Sequence, residues 1–220
     1  MIISEPKPFQ EVLDSIRGCQ KIFLAGCGDC ATACQSGGEE QVKEMKQKLE
    51  AAGKTVTGMC VPEAACVAAK LKSALAKNMQ AFRDAEAVLV LACGLAVQSI
   101  KDNDRFCRPA VPANNTTFCA VMDGAGNFYE KCSLCGECVL AQTGGICPIS
   151  LCPKGILNGP CGGMDKGKCE LDKERDCAWV LIYRELEKKN ALDTMRASRP
   201  ARDHAKAARP HTKIFAANPR

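Results

Sequence analysis

Seventeen cysteines stand in a chain of 220 residues, and their spacing constrains the fold more than any other feature. Two sets are tight: Cys27-x2-Cys30-x3-Cys34 and Cys132-x2-Cys135-x2-Cys138. The start, Met1-Ile2-Ile3-Ser4-Glu5-Pro6-Lys7-Pro8, has neither the basic nor the apolar region of a signal peptide, so a cytoplasmic location is expected. In that reducing compartment an odd number of cysteines does not read as a disulfide framework. Thiols this dense hold soft metals instead, and zinc and iron–sulfur clusters are the two candidates.

Apolar periodicity divides the rest. Residues 7–17 read as a short amphipathic helix, Lys21–Gly26 as a buried strand, Glu39–Ala52 as a helix stopped by Gly53, and Thr55–Met59 as a second strand. Residues 63–80 favour helix, Ala87–Ala92 is the clearest strand, and Thr117–Val121 is a last candidate strand. Strands alternating with helices mean an α/β fold with a small parallel sheet, expected over residues 1–127. From residue 128 to 177 the composition changes: eight cysteines and eight glycines occupy the stretch, with few long apolar side chains. Such a segment cannot build a sufficient core and needs metal staples. An irregular cysteine-rich domain is therefore expected over 128–192, closed by a helix from Cys177 to Leu192. Residues 193–220 are expected to form a basic, extended tail.

Cys27, Cys30 and Cys34 follow directly on the first strand, and ligands in open α/β sheets collect at the carboxyl ends of strands. Three closely spaced thiolates suit three corners of a [4Fe–4S] cluster, which needs a fourth. Cys93 ends the strand Ala87–Ala92, and Cys66 lies near the start of the second helix; spacing alone does not choose between them. In the second set, Cys132-x2-Cys135-x2-Cys138 is followed by Cys147-Pro148 and Cys152-Pro153, which approaches the ferredoxin pattern without its spacing. With Cys161, Cys169 and Cys177, eight cysteines make two four-thiolate sites, and their pairing stays open. One of the sites is open to zinc. Two or three four-cysteine sites result in all.

Cys19, Cys60, Cys107 and Cys119 lie outside these groups and read as small buried hydrophobes. His204 and His211 have no catalytic companions. No phosphate loop or nicotinamide fingerprint is present, since Gly26-x-Gly28 runs into cysteines where the third glycine belongs. The net charge of +5 resides in the end of the chain: residues 196–220 hold seven Lys/Arg and one acid, which leaves 23 basic and 24 acidic residues elsewhere. Neither nucleic-acid binding nor membrane insertion is expected. Cluster ligands without catalytic apparatus point to electron transfer.

The ordered motifs Cys132-Ser133-Leu134-Cys135-Gly136-Glu137-Cys138, Thr143-Gly144-Gly145-Ile146-Cys147-Pro148, Leu157-Asn158-Gly159-Pro160-Cys161-Gly162-Gly163, Gly167-Lys168-Cys169-Glu170 and Asp176-Cys177-Ala178-Trp179 resemble the small iron–sulfur subunit of two-subunit methylenetetrahydrofolate reductases, also known as the reductase's C-terminal domain family. Gly26-Cys27-Gly28-Asp29-Cys30, Cys34, Gly37-Gly38-Glu39, Cys66 and Ala92-Cys93-Gly94 resemble its N-terminal part. The resemblance covers roughly residues 1–190. It implies metal ligation by Cys27, Cys30, Cys34, Cys66 and Cys93, and by Cys132, Cys135, Cys138, Cys147, Cys152, Cys161, Cys169 and Cys177. It further implies a flavin- and folate-binding TIM-barrel catalytic subunit as partner, with the flavin in that partner. An upstream donor, such as ferredoxin or another redox subunit, would feed the clusters. The flavin would then reduce 5,10-methylenetetrahydrofolate to 5-methyltetrahydrofolate, in a non-catalytic role for this chain. The competing readings are a zinc-stapled structural adaptor in a methyltransfer complex and a nucleic-acid-binding zinc protein.

Overall fold

A strand without a sequence signal comes first. In the computed structural model, which describes residues 1–215, β1 (Ile2–Pro6) is followed by α1 (Phe9–Ser15), β2 (Lys21–Ala25), α2 (Cys30–Ala33) and α3 (Glu39–Ala51). Then come β3 (Thr55–Cys60), α4 (Ala68–Lys77), α5 (Met79–Asp84), β4 (Ala87–Val90), α6 (Gly94–Asn103), β5 (Ala110–Pro112) and β6 (Asn114–Met122). The sheet order β3-β2-β4-β5 is parallel throughout, as the alternation of strands and helices anticipated. The chain divides into two compact units, Met1–Cys119 and Ala120–Arg220.

The central strands are buried on both faces, which is why they read as unbroken apolar runs. Ile22 and Leu24 of β2 and Leu89 of β4 pack with Val12, Val42 and Leu49. Phe23, Val88 and Val90 pack on the other face with Leu71, Phe82 and Ile100. Successive strand side chains point to opposite faces, so one strand feeds both cores. Helix α3 carries Glu39 and Glu40 in its first turn and Lys48 in its last, matching the helix dipole. It ends just before Gly53, whose φ of +80° only glycine adopts without cost. The helical stretch expected over 63–80 is two helices, because the backbone breaks at Asn78, whose side chain bonds back to the Ala74 carbonyl at 3.0 Å.

β1 pairs antiparallel with β6, from Ile2 beside Cys119 to Pro6 beside Asn114. Residues 120–122 of β6 pair with β7 (Phe128–Glu130). In the second unit follow α7 (Pro148–Leu151), the antiparallel pair β8 (Lys168–Cys169) and β9 (Asp172–Asp176), and α8 (Ala178–Lys188). Its apolar centre is small. Trp179, Ile182 and Leu186 on one side of α8 pack with Ile146, Cys152, Cys177 and Met195. Short 3-10 turns occupy 140–142, 192–195 and 204–207, so the segment after α8 is partly folded. No helix among the described residues is long and apolar enough to cross a membrane.

Candidate metal centres

Parallel pairing sets Ala25 of β2 beside Val90 of β4, so both strands deliver their following residues to one sheet edge. Gly26 and Gly37 let the intervening loop fold down onto that edge. A Cβ on Gly37 would run into the Leu91 carbonyl, and one on Gly26 into the Gly37 carbonyl. The Cys27 N–H donates to the Gly37 carbonyl at 2.9 Å, the Gly28 N–H to Pro62 at 2.8 Å, and the Thr32 hydroxyl to the Cys27 carbonyl at 2.8 Å. Cys30 opens the single turn of α2, and Cys34 closes it. Cys93 sits immediately before α6, whose first N–H, on Gly94, donates to Thr116 Oγ1 at 2.8 Å.

The five N-terminal cysteines of the sequence reading form one neighbourhood. Burial pushes the Cys34 thiol above its ordinary value, opposed by a hydrogen bond from the Ser4 backbone, and the charges of Cys30 and Cys93 push it further. Burial likewise raises Cys66, and the charges of Cys27, Cys93 and Cys30 add to it. Cys93 thus acts on both Cys34 and Cys66. Cys66 itself is exposed on the turn before α4. β1 lies against the same loop: the Ile2 N–H donates to Cys30 Sγ at 3.4 Å, and Cys34 Sγ donates toward the Ile2 carbonyl at 3.9 Å. Nothing in the local sequence marks Ile2 as a neighbour of these thiols, since the contact depends on pairing with β6.

In the second unit, Cys132, Cys135 and Cys138 lie on the loop after β7. Left-handed backbone at Leu134 (φ +55°) and Gly136 (φ +77°) coils this loop, and the Leu134 N–H donates to Cys132 Sγ at 3.4 Å. Cys147 caps the N-terminal end of α7, with Pro148 as its first residue, and Cys152 follows its end. Cys152, Cys161, Cys169 and Cys177 line a single cavity of about 20 Å³, together with Trp179. The Trp179 indole donates to the Ile156 carbonyl at 3.0 Å and so pins one wall. The Gly163 N–H holds the Cys161 thiol below its ordinary value, and the Lys154 ammonium adds to this. These four share the lining of one cavity, which Cys132, Cys135, Cys138 and Cys147 do not reach. No three His, Cys, Asp or Glu side chains among the described residues converge tightly enough to grip a single ion as they stand.

The outlying cysteines differ in setting. Cys60 ends β3 inside the core, where burial pushes its thiol up to about 12. Cys19 packs partly buried at the edge of the other core, Cys119 is half-buried on β6, and Cys107 is exposed.

The segment after α8 returns to the Cys132–Cys138 loop. Lys206 Nζ lies 3.1 Å from Glu137 Oε1, and the Asp203 N–H donates to Glu137 Oε2 at 3.3 Å. The Arg199 N–H donates to Asn158 Oδ1 at 2.8 Å, while Asn158 Nδ2 donates to the Arg199 carbonyl at 3.1 Å. Cys138, Glu137, Arg199 and Arg202 line a cavity of about 270 Å³.

No curated protein and no solved structure matches the chain. Residues 111–205, which hold all eight cysteines of the second unit, match the family model described as methylene-tetrahydrofolate reductase C terminal, and this part of the chain is similar to that family.

Proposed function

We propose that the chain is an iron–sulfur electron-transfer subunit of a methylenetetrahydrofolate reductase. The observation that carries this reading is the grouping of its cysteines. Cys34 lies within electrostatic reach of Cys30 and Cys93, Cys66 within reach of Cys27, Cys30 and Cys93, and four of the eight in the second unit share one cavity. The match over residues 111–205 supplies the link to the reductase.

The donor sets are thiolates throughout, the ligand type that both proposed groups take. A four-iron cluster takes one thiolate at each iron, so its ligands stand wider apart than those of one ion. Cys27, Cys30, Cys34 and Cys93 would hold the first cluster, with Cys66 at its rim. Cys132, Cys135, Cys138 and Cys147 would hold a second, beside the larger cavity. The cavity among Cys152, Cys161, Cys169 and Cys177 measures about 20 Å³ against about 270 Å³ beside Cys138. The smaller volume is room for one atom-sized guest. Four thiolates drawn in around one such guest would make a structural zinc site, which would staple a unit whose own core is small.

When bound, the clusters supply one-electron transfer. The chain's part is to hold them, to keep water from their sulfurs and to set their potentials through N–H donors such as those of Ile2 and Leu134. Electrons would leave for a flavin in a separate folate-binding catalytic subunit and arrive from a ferredoxin or another redox subunit. Ile214 and Phe215 are exposed and suit an apolar contact with such a partner.

Metal and sulfide analysis of anaerobically purified chain, with visible and electron paramagnetic resonance spectra, tests this. The expected result is iron with equivalent sulfide, a brown absorption bleached by reductant, and about one zinc per chain. A colourless protein holding zinc alone would leave the adaptor reading in its place.

A further inference from the structure

β3 is the outermost strand of the parallel sheet, whose order is β3-β2-β4-β5. Its inner side is paired. Gly58, Met59 and Cys60 stand beside Phe23, Leu24 and Ala25 in unbroken register, and the register shift falls before Gly58. Past Ala25, the Gly26 N–H donates to the Cys60 carbonyl and the Gly28 N–H to the Pro62 carbonyl, both at 2.8 Å. In an extended chain, neighbouring residues turn their peptide groups to opposite edges. Cys60 and Pro62 face β2, so Val61 between them faces outward. Among the described residues neither its N–H nor its carbonyl has a hydrogen-bond partner.

Val61 lines a groove of about 570 Å³ between the chain at Cys60–Glu63 and helix α4. Ala69, Ser73 and Ala74 of α4 are small and leave the groove open. Lys70 and Lys77 flank them, about 10 Å apart along the helix axis. Glu63 is the one acid of this lining, and it is paired with Lys70. Lys77 is left without a counter-ion, so the spare charge of the groove is positive. The Cys60 thiol is buried and adds no charge of its own, since burial pushes it up to about 12.

A free strand edge is a template for another strand, whose main-chain bonds supply affinity while its side chains supply selectivity. We propose that this groove takes an extended acidic segment of a partner protein, which adds as a further strand outside β3. Its backbone would pair with Val61, and carboxylates at alternate positions, which share one face, would meet Lys77 and Lys70. The Gly28 N–H ties the loop of Cys27 to Pro62, so a protein anchored here is held beside that loop. The docking uses no metal and stands or falls apart from the cluster reading.

The test is fluorescence anisotropy of a labelled, end-capped hexapeptide of alternating Glu and Val, titrated with the full chain. Two further versions carry N-methyl groups on alternate residues, one on every Glu and the other on every Val. The acidic peptide is expected to bind below millimolar concentration, more weakly at high salt, and to slow amide exchange over residues 58–62. One methylated version is expected to bind several-fold more weakly and the other to hold, because only one set of N–H groups faces β3. Lys70→Gln/Lys77→Gln is expected to weaken binding several-fold, and Lys72→Gln, on α4 outside the groove, to leave it unmoved. No binding at millimolar concentration overturns the proposal, as does equal binding of a Lys-Val hexapeptide. Full binding by both methylated versions overturns strand addition. So does displacement of the peptide by an equal concentration of succinate, which would mark a site for small anions.

Discussion

Ala25 of β2 and Val90 of β4 stand side by side in parallel register, and two residues beyond Ala25 and three beyond Val90 come Cys27 and Cys93. Strand pairing across some 65 residues of sequence thus places two thiols at one edge before any metal is considered. Cys93→Ala is expected to lose the iron of one cluster, as Cys27→Ala, Cys30→Ala and Cys34→Ala do, while the second unit keeps its metal. Cys66→Ala is expected to retain iron. Iron and zinc per chain in the five variants decide this, and iron loss in Cys66→Ala with retention in Cys93→Ala would reverse the roles.

Gly37 is the steric hinge of that site. Gly37→Ala drives a methyl into the Leu91 carbonyl, a backbone group with nowhere to move. Overpacking of this kind costs roughly 1–3 kcal/mol. Urea unfolding followed through the first unit should show the loss, with iron binding at the N-terminal site weakened in parallel. Gly124→Ala, where an added Cβ meets nothing, is the control.

Metal removal should act unevenly. The first unit has two extensive apolar cores, whereas the second has a centre built on Trp179, Ile182 and Leu186. Chelation under reducing conditions is expected to open residues 128–178 to protease while the parallel sheet survives. Mapping the cleavage points by mass spectrometry checks it, and equal resistance with and without metal would contradict the stapling argument.

The β6–β7 turn should show its own pH signature. Hydrogen bonds from the Asn127 backbone and side chain, from Tyr129 and from the Ala125 backbone push the Asp123 carboxyl down to about 2. A depressed folded value stabilises the turn above the unfolded pKa of about 3.9 and loses that support as pH falls toward 2. The Asp123 carboxyl carbon, followed by NMR, is expected to titrate near the lower value. Asp123→Ala should abolish the pH dependence of amide exchange in this turn, and a midpoint near 4 would remove the argument.

Strands β2, β3 and β4 and helices α3 and α8 were legible because each carries its reason locally: an unbroken apolar run, a charge gradient along the dipole, or a glycine stop. β1, β5 and β7 were not, because Ser4-Glu5-Pro6, Pro112 and Glu130 interrupt any apolar run in them. Helix α6 was passed over because Pro and Asn in the following residues masked Ala96 and Ile100, which face the core. The strand-end position of Cys27 and Cys93 was readable from the runs that precede them. The shared cavity of Cys152, Cys161, Cys169 and Cys177 was not, since it depends on how α7, β8 and α8 surround Trp179. The polar ties of Arg199, Asp203 and Lys206 were equally invisible, because in sequence they look like a solvated basic end.

The pairing of β1 with β6 carries a consequence for biogenesis. Ile2 touches Cys30, yet the strand that holds Ile2 in place is translated only when residues 114–119 emerge. Each nascent chain therefore passes through an interval in which Cys27, Cys30 and Cys34 are already made and β1 has nothing to pair with. The covering of this loop by β1 therefore waits on a strand made more than 80 residues after Cys30.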